Sequence, residues 1–105
     1  MFMVGIKVAK AILKKNNSVL LIKRREDHKF FPGLWDFPGG RLIKGETALK
    51  SVVRETKEET DLVISVGNLV GEYELIENNI NIFFTIFNVK SFFGDIKLSK
   101  DHTKY

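Results

Sequence analysis

Residues 40–62 read GRLIKGETALKSVVRETKEETDL, and the reading of this stretch decides the fold. It predicts one convincing helix, over residues 47–60. Thr47 suits the N-cap, because its hydroxyl can accept from the first free backbone amides. Ala48, Leu49, Val52, Val53 and Thr56 recur at helical spacing and form one apolar stripe. On another flank Glu55, Glu58 and Glu59 fall within a sector of about 100°. Glu55 lies one turn below the other two, where each like-charge pair costs roughly a few tenths of a kcal/mol. The cluster also occupies the last turns, where the helix dipole favours cations, while Lys50 and Arg54 occupy the half that favours anions. Two local rules broken together are what a functional site looks like. A divalent cation relieves the crowding, and hard oxygen ligands suit Mg²⁺. Taken alone, the helix fits a solvated face of ordinary salt bridges equally well.

Upstream, residues 4–13 are apolar with interspersed lysines, and Lys14-Lys15-Asn16-Asn17 supplies a turn. Val19-Leu20-Leu21-Ile22 follows, and the two runs predict a hairpin. Residues 23–34 are charged, then aromatic, and contain Pro32-Gly33, which predicts a loop. Trp35-Asp36-Phe37 then runs into Pro38-Gly39-Gly40, a second breaker. Downstream, residues 62–66, 69–76 and 80–90 are strand-like, with Glu77-Asn78-Asn79 as the turn between the last two. Strands, one helix, then strands make an α+β fold, and residues 1–105 are expected to form a single domain.

At 105 residues, splitting the chain would leave neither half a useful core. A composition 44% hydrophobic and 29% charged reads as globular. No apolar run approaches a membrane span, and Lys7 and Lys10 make residues 1–11 a strand candidate and not a signal peptide. The chain has no cysteine, which excludes disulfides, zinc knuckles and thiol nucleophiles and suits a reducing cytoplasm, the expected location. A net charge of +4 favours polyanionic ligands without choosing among them. Basic residues are not clustered and interleaved with aromatics, so nucleic acid is not the expected partner. His28 and His102 stand alone in sequence, read as exposed, and are assigned to no metal.

Gly40, Glu46, Arg54, Glu55, Glu58, Glu59 and Leu62 match the Nudix signature in type and spacing. That pattern is Gly, five residues, Glu, seven residues, Arg-Glu, two residues, Glu-Glu, one residue, Gly, then an aliphatic. The lead-in Trp35-Asp36-Phe37-Pro38-Gly39-Gly40 also resembles that of MutT-related members. Thr56 departs from a usual aliphatic, and Asp61 stands where glycine usually ends the helix. Aspartate tolerates a left-handed backbone better than most residues, so both departures touch packing and not ligands.

The resemblance implies a Nudix-like α/β/α sandwich with a mixed sheet, and hydrolysis of a phosphoanhydride bond in a nucleoside diphosphate derivative. It implies Glu58 and Glu59 as ligands of Mg²⁺, with Mn²⁺ as a substitute, and Glu55 as a ligand or as the base that activates water. Arg54 would pair with Glu46 and orient the cluster, and the Gly39 carbonyl would complete the metal shell. Arg25 is the candidate for a phosphate contact, because a guanidinium grips phosphate bidentately, with Lys23 beside it. Trp35 and Phe37 suit base stacking, although alternating aromatics are more often core. The family's markers for ADP-ribose and dinucleoside polyphosphates are absent at residues 78–80, which leaves a (deoxy)nucleoside triphosphate as first choice. The competing reading is a catalytically silent nucleotide-binding or regulatory module.

Along residues 80–90, Ile80, Ile82, Phe84 and Ile86 alternate with Phe83, Phe87 and Val89, so both faces of this strand are apolar. One helix covers one face. The family's usual second helix is not evident before Tyr105, so the expectation is a truncated chain, or a homo-oligomer in which another subunit covers the open face.

Overall fold

The computed structural model describes residues 3–29 and 31–105; Met1 and Phe2 of the strand candidate and Phe30 of the loop lie outside them. The first long strand, β1, is Val4–Ile12. Two short strands, β2 (Lys14–Lys15) and β3 (Ser18–Val19), form the predicted turn, with Asn16 left-handed at φ 56°. The hairpin ends there. After Leu20 donates its N–H to the Leu13 carbonyl, the chain leaves for a different sheet. There β4 (Ile22–Arg24) pairs with β5 (Trp35–Asp36) on one side and β9 (His102–Lys104) on the other. The predicted pairing of residues 4–13 with Ile22 fails because both edges of β1 are occupied. β6 (Gly39–Arg41) runs antiparallel along one edge, and β8 (Ile80–Phe93) runs parallel along the other.

Gly39 and Gly40 are therefore strand residues and not a breaker. Gly39 sits at φ 133°, and a Cβ there would collide with the Ala9 carbonyl oxygen, so glycine is what lets β6 close on β1. The long β7 (Val63–Glu77) pairs antiparallel with β8 and completes a mixed sheet of order β6-β1-β8-β7. The two are joined at Asn78 and Asn79, both at positive φ, the backbone that a tight hairpin turn demands.

Helix α1 is Ala48–Thr60, and its caps are those the sequence predicts. The Thr47 hydroxyl accepts from the Lys50 N–H at 3.2 Å. Asp61 is left-handed at φ 64°, donates its N–H to the Lys57 carbonyl, and takes the Lys57 ammonium on its carboxylate. The buried stripe differs in detail. Ser51, Val52, Thr56 and Thr60 are buried and Ala48 and Val53 partly so, whereas Leu49 is 50% exposed. Contact follows the i, i+4 row through residues 48, 52, 56 and 60, which turns Leu49 outward. This row packs on Ala9, Ala11, Leu13, Leu62 and Ile64, with Phe87, Val89 and Ile96 around them.

By strand alternation and register, Ile6, Val8, Lys10 and Ile12 share the opposite sheet face with Ile82, Phe84, Ile86 and Asn88, so this face is apolar except where Lys10 and Asn88 stand. Tyr73 and Leu75 extend that face along β7 and are exposed. Among the described residues there is one helix, and it covers the other side.

Candidate functional site

The chain reaches its densest set of charges where α1 lies against β6. Arg54 is the centre of it. Its guanidinium grips Glu46 with two nitrogens, Nε to Oε2 at 2.8 Å and Nη2 to Oε1 at 3.0 Å. Nη1 donates to Glu55 Oε1 at 2.9 Å and to both Glu58 oxygens at 3.2 Å, and Nη2 reaches the Arg41 carbonyl. Glu46 also accepts from the Ile43 N–H, so the carboxylate that Arg54 grips is fixed within its own loop. The Arg54 guanidinium and that N–H hold the Glu46 carboxyl down at about 2. The expected Arg54–Glu46 pair is thus present. The stacked Lys50 and Arg54 of the sequence reading are not a cationic face, since Arg54 folds toward its acidic neighbours. The guanidinium, and not only a metal ion, can offset the like charges of Glu55 and Glu58.

Glu59 is set apart from this network. Its side chain is 13% exposed, and Oε1 accepts from the Gly39 N–H at 2.7 Å. Burial pushes its carboxyl up to about 7, against the opposing pull of the Gly39 N–H and of Lys10. Desolvation of the buried carboxyl outweighs both. Gly40 of β6 lies against Glu55; a Cβ there would stand 2.7 Å from the Glu55 carboxyl and push it aside.

Sequence reasoning passed over two residues. Lys10 has a side chain only 11% exposed, pairs with Asp36 at 2.9 Å and donates to the Phe37 and Gly39 carbonyls at 3.3 Å each. It thereby ties the lead-in segment to β1. The signal was a lysine inside an apolar strand, flanked by the buried Ala9 and Ala11. His102 corrects an expectation outright. It is 8% exposed, with Nε2 at 3.7 Å from Glu59 Oε2, neither isolated nor on the surface. Burial, then the nearby Arg24, pushes its imidazole below the usual histidine range. No local signal announced it, because the contact spans residues 59 and 102 and depends on β9 returning beside β4.

Arg25 and Lys23 sit at the end of β4, each beside a local carboxylate: Lys23 at 2.6 Å from Glu26, and Arg25 at 2.7 Å from Asp27. Arg25 also donates to the Lys100 carbonyl. Trp35 is 50% exposed, against its reading as core, and Phe37 is half-buried. Among the described residues, no three carboxylates or imidazoles converge on one point, since Arg54 stands between Glu55 and Glu58. The donor set nevertheless fits a hard cation. It is all oxygen, one member is buried and under-solvated, and Glu58 is an exposed side chain that costs little to turn. The Gly39 carbonyl, the fourth expected ligand, is engaged by Lys10.

Residues 3–100 match the family model described as the NUDIX domain. An ADP-ribose pyrophosphatase of Methanocaldococcus jannaschii is 47% identical over 62 residues, which cover 59% of this chain and 36% of that protein. The 8-oxo-dGTP diphosphatase of Escherichia coli K12 is 31% identical over 81 residues, covering 75% of this chain and 63% of its own length. Among solved structures, the MutT protein of Methanosarcina mazei Go1 superposes with a TM-score of 0.89 at 26% identity, over 99% of this chain and 76% of that one. The chain spans little more than a third of the length of two curated relatives it matches, 36% and 39%. Among the described residues, no helix is long and apolar enough to cross a membrane.

Proposed function

Because this chain belongs to the NUDIX family, we propose that it hydrolyses a phosphoanhydride bond in a nucleoside diphosphate derivative with the help of a divalent cation. The observation that carries the reading is the flank of α1, where Arg54 binds Glu55 and Glu58 and the buried, under-solvated Glu59 stands one turn on from Glu55. Glu58 and Glu59, with Glu55, are the residues that would hold Mg²⁺, or Mn²⁺ in its place. The ion supplies charge neutralisation of the diphosphate and a more acidic water. Glu55 takes the proton from the attacking water as its oxygen bonds to phosphorus and the bridging oxygen leaves. Arg54, fastened to Glu46 by two hydrogen bonds, keeps Glu55 oriented for that step. Arg25 and Lys23 are the proposed phosphate contacts, and reaching a substrate requires each to leave its carboxylate neighbour.

The proposed substrate is a (deoxy)nucleoside triphosphate, cleaved to the monophosphate and pyrophosphate. The MutT-like lead-in at residues 35–40 and the half-exposed Trp35, suited to stacking on a base, support it. ADP-ribose is a second reading, favoured by the identity to the M. jannaschii protein. The test measures nucleoside monophosphate formation from nucleoside triphosphates, 8-oxo-dGTP and ADP-ribose, with pyrophosphate as the co-product of the triphosphates and ribose 5-phosphate as that of ADP-ribose, in Mg²⁺ and in EDTA. Magnesium-dependent pyrophosphate release is the expected result. Full turnover in EDTA overturns the metal, and binding with no turnover of any substrate identifies a silent nucleotide-binding module instead.

A further inference from the structure

The segment after β8 folds back onto the last turn of α1 and meets it at three points. The Lys97 N–H donates to the Thr60 carbonyl at 2.8 Å, and the Ser99 N–H to the Glu59 carbonyl at 3.0 Å. The third point is a side chain. His102 turns back through its own N–H to the Ser99 carbonyl, and its buried ring faces the Glu59 carboxyl. Glu59 is thus addressed from both sides, with Gly39 N–H on Oε1 and His102 Nε2 opposite Oε2.

The ring's second nitrogen fixes what the first can do. Ser99 Oγ lies 3.4 Å from His102 Nδ1. With that hydroxyl donating to Nδ1, the ring proton sits on Nε2 and points at Glu59. The 3.7 Å separation is about half an ångström beyond an ordinary hydrogen bond, a gap that small side-chain adjustments close. The two backbone bonds already hold the segment on the helix end whatever stands at position 102. The imidazole therefore adds something specific to the carboxyl it faces.

We propose that His102 is a positioning residue, an N–H donor that aims the buried Glu59 carboxylate so that it can bind a divalent cation. This rests on the reading of Glu59 as a metal ligand. Groups that orient a metal ligand through its free oxygen or nitrogen commonly contribute tenfold to a hundredfold to metal affinity.

The test is Mn²⁺ titration of the metal-free full chain, followed by electron paramagnetic resonance, with melting curves run alongside. His102→Ala should weaken Mn²⁺ binding about tenfold. His102→Gln, whose amide can still donate, should recover most of that affinity, which a merely structural role would not produce. Should His102→Ala fail to fold, Ser99→Ala replaces it: loss of the hydroxyl leaves the tautomer unset and should weaken Mn²⁺ several-fold in a folded protein. Glu59→Gln separates the donor role of His102 from the metal site itself. Wild-type affinity in the His102 and Ser99 variants, with a large loss in Glu59→Gln, overturns the role of His102 and leaves the metal reading standing. Unchanged affinity in all of them overturns both. Equal losses in His102→Ala and His102→Gln overturn the donor role.

Discussion

Glu58 and Glu59 are neighbours in the chain with opposite surroundings, and they predict opposite behaviour. Glu58 is the exposed member of the cluster, held by its 3.2 Å contacts to Arg54. Glu58→Gln should leave the melting temperature nearly unchanged and cut metal-dependent turnover at least about a hundredfold, some 2.7 kcal/mol of barrier. Steady-state kinetics at saturating Mg²⁺ decides it, and near-wild-type turnover removes Glu58 from the proposed ligand set. Glu59 is buried, and its carboxyl is raised to about 7 from an ordinary 4.5. A raised carboxyl favours the folded state while protonated. Its contribution is fully present below pH 4.5 and is lost as the pH climbs through 7. His102, pushed down, works the other way and favours the folded state as pH rises. The comparison that isolates Glu59 is therefore wild type against Glu59→Gln, both in EDTA. Between pH 5 and pH 8 the wild type should lose up to about 3 kcal/mol relative to the variant. Parallel stability curves would show that Glu59 is solvated better than its burial implies.

At the scale of elements, α1 shows what a departure from the family pattern costs. Thr56 occupies a position where an aliphatic is usual, and it is fully buried. Among the described residues its hydroxyl finds no hydrogen-bond partner, whereas the Thr60 hydroxyl one turn on donates to the Thr56 carbonyl at 2.7 Å. Thr56→Val keeps the shape and removes the orphaned hydroxyl, so it should stabilise the protein by about 1 kcal/mol in chemical denaturation. Thr60→Val should do the opposite, since it removes a satisfied group that also accepts from the Leu62 N–H. If both variants destabilise alike, the Thr56 hydroxyl has a partner after all. The helix was legible because its caps, its period and its acidic flank are all local. The hairpin at Asn78 and Asn79 was legible for the same reason, since two consecutive positive-φ residues suit asparagine. The strand Gly39–Arg41 was not. Two glycines read as a breaker unless the β1 backbone that they must approach is already in view.

At the scale of the molecule, the sheet is covered by α1 on one side only. The other side carries Ile6, Val8, Ile12, Ile82, Phe84 and Ile86, with Tyr73 and Leu75 exposed on the outer strand. The outer strand also leaves one long edge of hydrogen-bonding groups unpaired within its sheet. A largely apolar face with an open edge favours association. In isolation this 105-residue chain should therefore form oligomers that grow with concentration in size-exclusion chromatography with light scattering. Tyr73→Lys combined with Leu75→Lys should return it toward monomer without altering the acidic flank of α1. A wild-type chain that stays monomeric at high concentration rules this out.

Residue identity and short-range spacing by themselves determined the helix, its two caps, the acidic flank and the family. Periodicity, capping and side-chain chemistry act within a few residues, and the spacing of Gly40, Glu46, Arg54, Glu55, Glu58 and Glu59 is a short-range code. Only the tertiary structure decided which strand lies beside β1, that Lys10 ties down the lead-in segment, and that His102 is buried beside Glu59. Those contacts join residues tens of positions apart. Nothing local records a pairing whose stability comes from excluding water between distant segments.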